Sequence, residues 1–188
     1  MLEILVETLL PVVDEILVTA PEGYEQRMQA ILSHRAKVIT GGSTRQDSIS
    51  CLIGATQADT VLIQDAARPF PSRSLCRQVL SKAQEHGAAG AFLNPAVPIG
   101  LLRDDKVSCF FHKEEVGIFQ APQAFSKALL KQAYRDTDEQ HFQSTAQMLM
   151  EAGHTLVAVP GEASNIKITT ALDWHVAQQA IAPFLGIT

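Results

Sequence analysis

Residues 60–70, Thr60-Val61-Leu62-Ile63-Gln64-Asp65-Ala66-Ala67-Arg68-Pro69-Phe70, form a short apolar run that ends in an acid, two small residues, a cation and a proline. A run such as 60–63, with no polar alternation, predicts a central strand of a parallel sheet covered on both faces. Asp65 then falls at the carboxyl end of that strand, the edge of open α/β sheets where ligands bind. Ala66 and Ala67 keep the following loop low, so that a substrate can reach the backbone, and Arg68 offers a planar, permanently charged fork to a phosphate or carboxylate. Pro69 stiffens the exit. The same spacing equally suits an Asp65 that caps the next turn and an Arg68 in a surface ion pair.

Upstream, Leu2, Leu5, Val6 and Leu9 recur at helical spacing, with Glu3 and Glu7 between them, until Pro11 ends the pattern. Residues 15–19 and 37–40 read as strands flanking a helix at 25–32. Gly41-Gly42-Ser43-Thr44-Arg45-Gln46-Asp47-Ser48 then leads into a helix whose buried face includes Ile49, Leu52 and Ile53. Glycines here permit close backbone approach, or simply make a strand-to-helix turn, and Ser43, Thr44 or Asp47 is placed to cap the helix.

Downstream, residues 73–85 carry Leu75, Val79, Leu80 and Ala83 on one helical face, with Gly87 as the cap, and 88–93 is a strand. Helix and strand thus alternate, which predicts a Rossmann-like, mostly parallel sheet with helices on both faces. From about 95 to 120 the rhythm breaks. Arg103-Asp104-Asp105-Lys106 reads as a hairpin turn and 107–112 as a returning strand, a β-arm protruding from one domain that spans 1–188. Helices follow at 126–134 and 142–153, joined by the polar stretch 135–140; a strand is expected at 155–159. A short strand over 165–169 would put Lys167 on the face opposite Ile166 and Ile168, aimed into a cleft or serving as an edge lysine that discourages aggregation. Thr170 caps a last helix, 171–182.

A chain of 188 residues with 46% hydrophobic and 19% charged residues is long and apolar enough to bury a core. Its net charge of -5, with no basic stripe, argues against nucleic acid. No run approaches the ~20 apolar residues that would cross a bilayer. Cys51, Cys76 and Cys109 are widely spaced, and none of the six histidines is in a metal-binding pattern, so a cytoplasmic protein without a metal of its own is expected.

The segment DAARPF after an apolar strand, with GGSTRQDSI upstream and SNIKIT downstream, resembles the 2-C-methyl-D-erythritol 4-phosphate cytidylyltransferases. The resemblance runs in order from about residue 1 to about residue 180. It implies transfer of CMP from CTP to a sugar-alcohol phosphate, with Mg²⁺ held through the CTP phosphates. The related ribitol-phosphate cytidylyltransferases share much of the pattern. By this resemblance Lys167 and Asp65 are catalytic, Gly42, Ser43, Arg45 and Ser48 bind the nucleotide, and Arg68 holds the acceptor. The arm would pair two copies into a homodimer and bring Lys113, where the family carries an arginine, into the partner's site. Gly100 stands at the family's threonine, and Ser144-Thr145 at its acidic pair.

The resemblance also implies a strand and a glycine-rich loop, with a lysine and an arginine that wrap the triphosphate, directly before the helix at residue 2. The chain as given starts at that helix. An inner strand of the sheet is therefore expected to be unfilled, and a decayed homologue acting as a binding or dimerisation module stands beside the active enzyme as an expectation.

Overall fold

The computed structural model describes residues 1–136 and 142–186, so most of the polar stretch expected to join two helices, and His141, lie outside the described residues. Helix α1 (Leu2–Leu9) is followed by β1 (Leu17–Ala20), α2 (Glu25–Leu32), β2 (Lys37–Thr40), α3 (Arg45–Ala55) and β3 (Thr60–Ile63). Next come α4 (Arg73–His86), β4 (Ala88–Leu93), the hairpin β5 (Ile99–Arg103) and β6 (Lys106–Phe111), and β7 (Ile118–Ser126). The chain closes with α5 (Lys127–Asp136), α6 (Thr145–Glu151), β8 (Val157–Pro160) and α7 (Ala171–Val176), which continues through a π-helical turn at Ala177–Ile181 into α8 (Ala182–Phe184).

The larger sheet has the order β3-β7-β4-β8. β7 is antiparallel to both β3 and β4, and β8 is parallel to β4, so three of its strands run one way and β7 alone runs back. β1 and β2 form a parallel pair of their own. This is the α/β, mostly parallel class that the alternation of elements predicts.

Both faces of β3 are covered. Val61 and Ile63 pack toward Ile49 and Ile53 of α3, in a cluster that includes Phe125, Leu130, Met148 and Leu149. Leu62 points the other way, to Leu75, Val79 and Ala83 of α4. A strand buried from both sides needs no polar alternation, which explains the uninterrupted apolar run. Its position, however, corrects the expectation of a central strand. β3 lies at the end of its sheet and pairs with β7 alone among the described residues, and all four of its residues are half-buried. β1 likewise pairs with β2 alone among the described residues. Helix α1 links the two sheets: Leu5 and Leu9 pack with Ile16 and Leu62, while Val6 packs with Val18 and Val38. Neither strand carries the charge, proline or bulge with which edge strands are normally blunted. Among the described residues β1 and β3 therefore belong to separate sheets that α1 holds together.

The longest strand, β7, escapes sequence reading because Pro122 lies within it and argues against a strand. The register resolves the conflict. β3 reaches only as far as the pair Ile63↔Gln123, and the ladder with β4 shifts between Gly90 and Phe92, so Pro122 occupies the place where neither neighbour has a paired residue. Its missing N–H breaks no ladder. Residues 165–169 are a second correction: they form no strand but an irregular segment. The arm is a two-stranded hairpin, turned by Asp104 and Asp105 at φ of 47° and 60°. The two positive φ values suit a tight hairpin turn.

Phe125 is fully buried in β7 at the centre of its cluster. Phe125→Ala is expected to cost about 3–5 kcal/mol of unfolding free energy in urea titration, the range for truncating a buried aromatic. A loss within error would contradict the packing described.

Candidate functional site

The loop between β2 and α3 is built around one carboxylate. Thr44 is the N-cap of α3: its hydroxyl accepts from Asp47 N at 3.1 Å, and Asp47 Oδ2 in return accepts from Thr44 N at 3.0 Å. Ser43 Oγ donates to the same Asp47 oxygen at 2.8 Å, and these hydrogen bonds, that from Ser43 foremost, hold the carboxyl below its ordinary range. Ser48 Oγ accepts from Gly42 N at 3.1 Å. A Cβ on Gly42 would overlap the Asp47 side chain, so the turn closes this tightly only with glycine. Of the three capping candidates, Thr44 and Asp47 form the capping box, and Ser43 supports it.

The loop after β3 is a turn closed by Arg68 N donating to Asp65 O at 2.9 Å, with Gln64 Nε2 donating to Arg68 O at 2.8 Å. Asp65 is placed there between two cations. Arg45 Nη2 lies 3.2 Å from Oδ1, and Lys167 Nζ lies 3.4 Å from Oδ2. The three residues come from the start of α3, the end of β3 and the irregular segment after β8. Burial pushes the Asp65 carboxyl up, but Arg45 and Lys167 outweigh it, and the group is held below the usual carboxylate range. The carboxylate is mostly buried, with 22% of its side chain accessible, whereas 46% of Lys167 remains exposed to anything that enters.

Arg68 is placed differently from a free phosphate fork. Nη1 donates to Asn165 O at 2.8 Å and Nη2 to Phe119 O at 3.3 Å, so the guanidinium braces the loop against β7 and against the segment bearing Lys167. Burial lowers its pKa and nearby Asp65 partly restores it. Lys113 follows β6 on an exposed stretch, its Nζ 4.0 Å from Glu114. The structure thus brings Asp65, Arg45, Lys167 and Arg68 together and leaves Lys113 with the arm. Asn165, fully buried beside this group, was not picked out from the sequence. Its polarity in SNIKIT, directly before Ile166, is the signal that marks it.

The family model for the 2-C-methyl-D-erythritol 4-phosphate cytidylyltransferases (IspD) matches residues 1–182. The chain belongs to that family. The IspD of Deinococcus radiodurans is 34% identical over 175 residues, covering 92% of this chain and 74% of its own length. That of Thermus thermophilus is 32% identical over 166 residues, covering 87% and 76%. The crystal structure of the T. thermophilus IspD superposes with a TM-score of 0.84 at 31% identity, over 96% of this chain and 87% of that one. The corresponding synthase of Anaerococcus prevotii gives 0.87 at 26% identity, over 98% and 88%.

IspD enzymes are nucleotidyltransferases that generally use a divalent metal. Among the described residues no cluster of three or more His, Cys, Asp or Glu side chains is arranged to hold such an ion, and Asp65 is already flanked by two cations. Among the described residues, a single carboxylate between two cations is not a donor set that fits a resident metal cage. Among the described residues no helix is long and apolar enough to cross a membrane.

Because the folded state lowers the Asp65 pKa, the stability this carboxylate contributes is complete above its unfolded pKa and fades as pH falls through its lower folded value. Melting temperature followed from pH 6 downward should therefore fall more steeply in the native chain than in Asp65→Asn. Parallel acid limbs would show that the two cations do not hold Asp65 ionised.

Proposed function

We propose that this chain transfers CMP from CTP to 2-C-methyl-D-erythritol 4-phosphate, releasing pyrophosphate, in isoprenoid biosynthesis. The observation that carries the proposal is the Arg45–Asp65–Lys167 cluster at the carboxyl ends of the strands, within a chain that matches the family over nearly its whole length. CTP enters as its Mg²⁺ complex, the cation being carried on the triphosphate as part of the substrate. The Gly42–Ser48 loop borders the nucleotide, with the backbone of Gly42 and Ser43 and the hydroxyl of Ser48 nearest the base and ribose.

A phosphate oxygen of the acceptor attacks the α-phosphorus in line, the α–β phosphoanhydride bond breaks, and pyrophosphate leaves. Such transfers depend on positioning and on neutralising charge as it develops. Lys167, cationic and half-exposed, is placed to meet the charge on the α-phosphate. Asp65 orients the hydroxyls of the acceptor, and Arg45 keeps that carboxylate aimed. Arg68 shapes the acceptor end of the site through the loop it braces. Lys113 supplies a point charge to the acceptor phosphate from a second copy, without the bidentate fork of an arginine.

The second copy is proposed to dock through the arm. Leu102, Val107 and Phe110 are exposed on β5 and β6, at 68%, 70% and 57%, an unusual set of apolar side chains to leave in water. The reducing cytoplasm suits the three free cysteines. A second reading, a binding or dimerisation module without turnover, is favoured by the break between β1 and β3.

The deciding assay is pyrophosphate release from the folded chain with CTP, Mg²⁺ and either 2-C-methyl-D-erythritol 4-phosphate or ribitol phosphate. Turnover with the first acceptor is expected. Lys167→Ala should lower kcat by about 10²-fold or more, as for loss of one charge-stabilising donor, with an unchanged circular dichroism spectrum. Equal rates for the two proteins would remove Lys167 from the reaction, and acceptor binding without turnover would select the module.

A further inference from the structure

Lys167 has no ladder to hold it. Residues 165–169 form no strand, so the position of the ammonium beside Asp65 depends on where the backbone hydrogen bonds of an irregular segment go. Two anchors flank it. On one side Ile168 N donates to Ala67 O at 2.8 Å, which ties the segment to the Asp65 turn. On the other side stands Asn165, with 0% of its surface accessible.

Asn165 joins three elements. Its Nδ2 donates to Ala121 O in β7 at 2.6 Å, and its backbone N donates to Glu162 O at 3.1 Å. Its own carbonyl accepts from Arg68 Nη1 at 2.8 Å and from Gln120 Nε2 at 3.4 Å. A buried amide is costly unless it is bonded; here Nδ2 is bonded to β7 while Oδ1 has no hydrogen-bond partner among the described residues, and the backbone N and O of the same residue fix the chain two residues before Lys167. Removing the side chain takes away one of the ties between this segment and β7, leaving those made by Gln120, and leaves the Ala121 carbonyl without its amide donor. Displacements of about 1 Å at a site of this kind are enough to cost a hundredfold in rate.

We propose that Asn165 is a positioning residue which, by bonding β7 through its side chain and Arg68 through its carbonyl, sets the Lys167 ammonium against Asp65. This rests on the role given above to Lys167 but is tested without it. Asn165→Leu, of the same branching but bulkier and without donors, and the smaller Asn165→Ser are compared with the native chain and with Lys167→Met. The Asp65 carboxyl is followed through a pH titration by ¹³C NMR, and melting temperatures are recorded alongside.

In the native chain Lys167 helps to hold the Asp65 midpoint down, so Lys167→Met should raise it. Folded Asn165→Leu or Asn165→Ser should raise it in the same direction and by a comparable amount. Where pyrophosphate release is measurable, kcat should fall about ten- to a hundredfold with KM for CTP unchanged. A lowered melting temperature with an Asp65 midpoint at the native value would make Asn165 a residue of the core alone and overturn the proposal, as would failure of both variants to fold. A chain that shows no turnover, yet shifts the Asp65 midpoint on loss of Asn165, would overturn the enzymatic reading and uphold the positioning.

Discussion

β7 is paired on both sides, to β3 through Ser126, Phe125, Ala124 and Gln123 and to β4 through Phe125, Ala124 and Gln123 and, past the register shift, Phe119 and Ile118. Without it the larger sheet would separate into β3 and the β4–β8 pair. The site depends on the same strand beyond the end of β3. There its carbonyls at Phe119 and Ala121 accept from Arg68 and Asn165, and Gln120 Nε2 donates to Glu162 O at 2.9 Å. One strand thus holds the core with its ladder and the polar loops with the part of its backbone left over.

That arrangement explains why the charged groups can be so near one another. Asp65 is mostly buried, and a buried carboxylate is tolerated when cations and hydrogen bonds compensate for lost water. Arg45 and Lys167 do so from different elements, neither bound to Asp65 at a distance shorter than 3.2 Å. Loose pairs of this kind contribute little to stability where they are exposed. Their effect is to keep a cation and an anion oriented toward each other in the loops between α3, β3 and the segment after β8.

The arginine of the central loop illustrates how a chemically sound expectation meets a structural use. A guanidinium suits phosphate, and nothing in the local residues separates that role from another. In the fold its two terminal nitrogens meet backbone carbonyls 97 and 51 residues away in the chain. The same holds for Ser43 and Ser48, whose hydroxyls serve the Gly42 turn, and for Ser144, which caps α6 by accepting from Gln147 N. Small polar residues near a site are first of all the residues that close its loops.

By itself the sequence determined the α/β class, the order of most elements, the hairpin turn at Asp104-Asp105 and the family, because apolar periodicity, glycine placement and short motifs are local properties of the chain. It also singled out Asp65, Arg45 and Lys167, which lie at element ends where side chains face a common edge. Only the tertiary structure decided that β3 ends its sheet, that a proline-bearing stretch is the central strand, and that Lys167 sits on an irregular segment. Each of these is a question of which backbone groups find partners far away in the chain. The role of Asn165 is of the same kind: its amide becomes an anchor when β7 brings the Ala121 carbonyl to it.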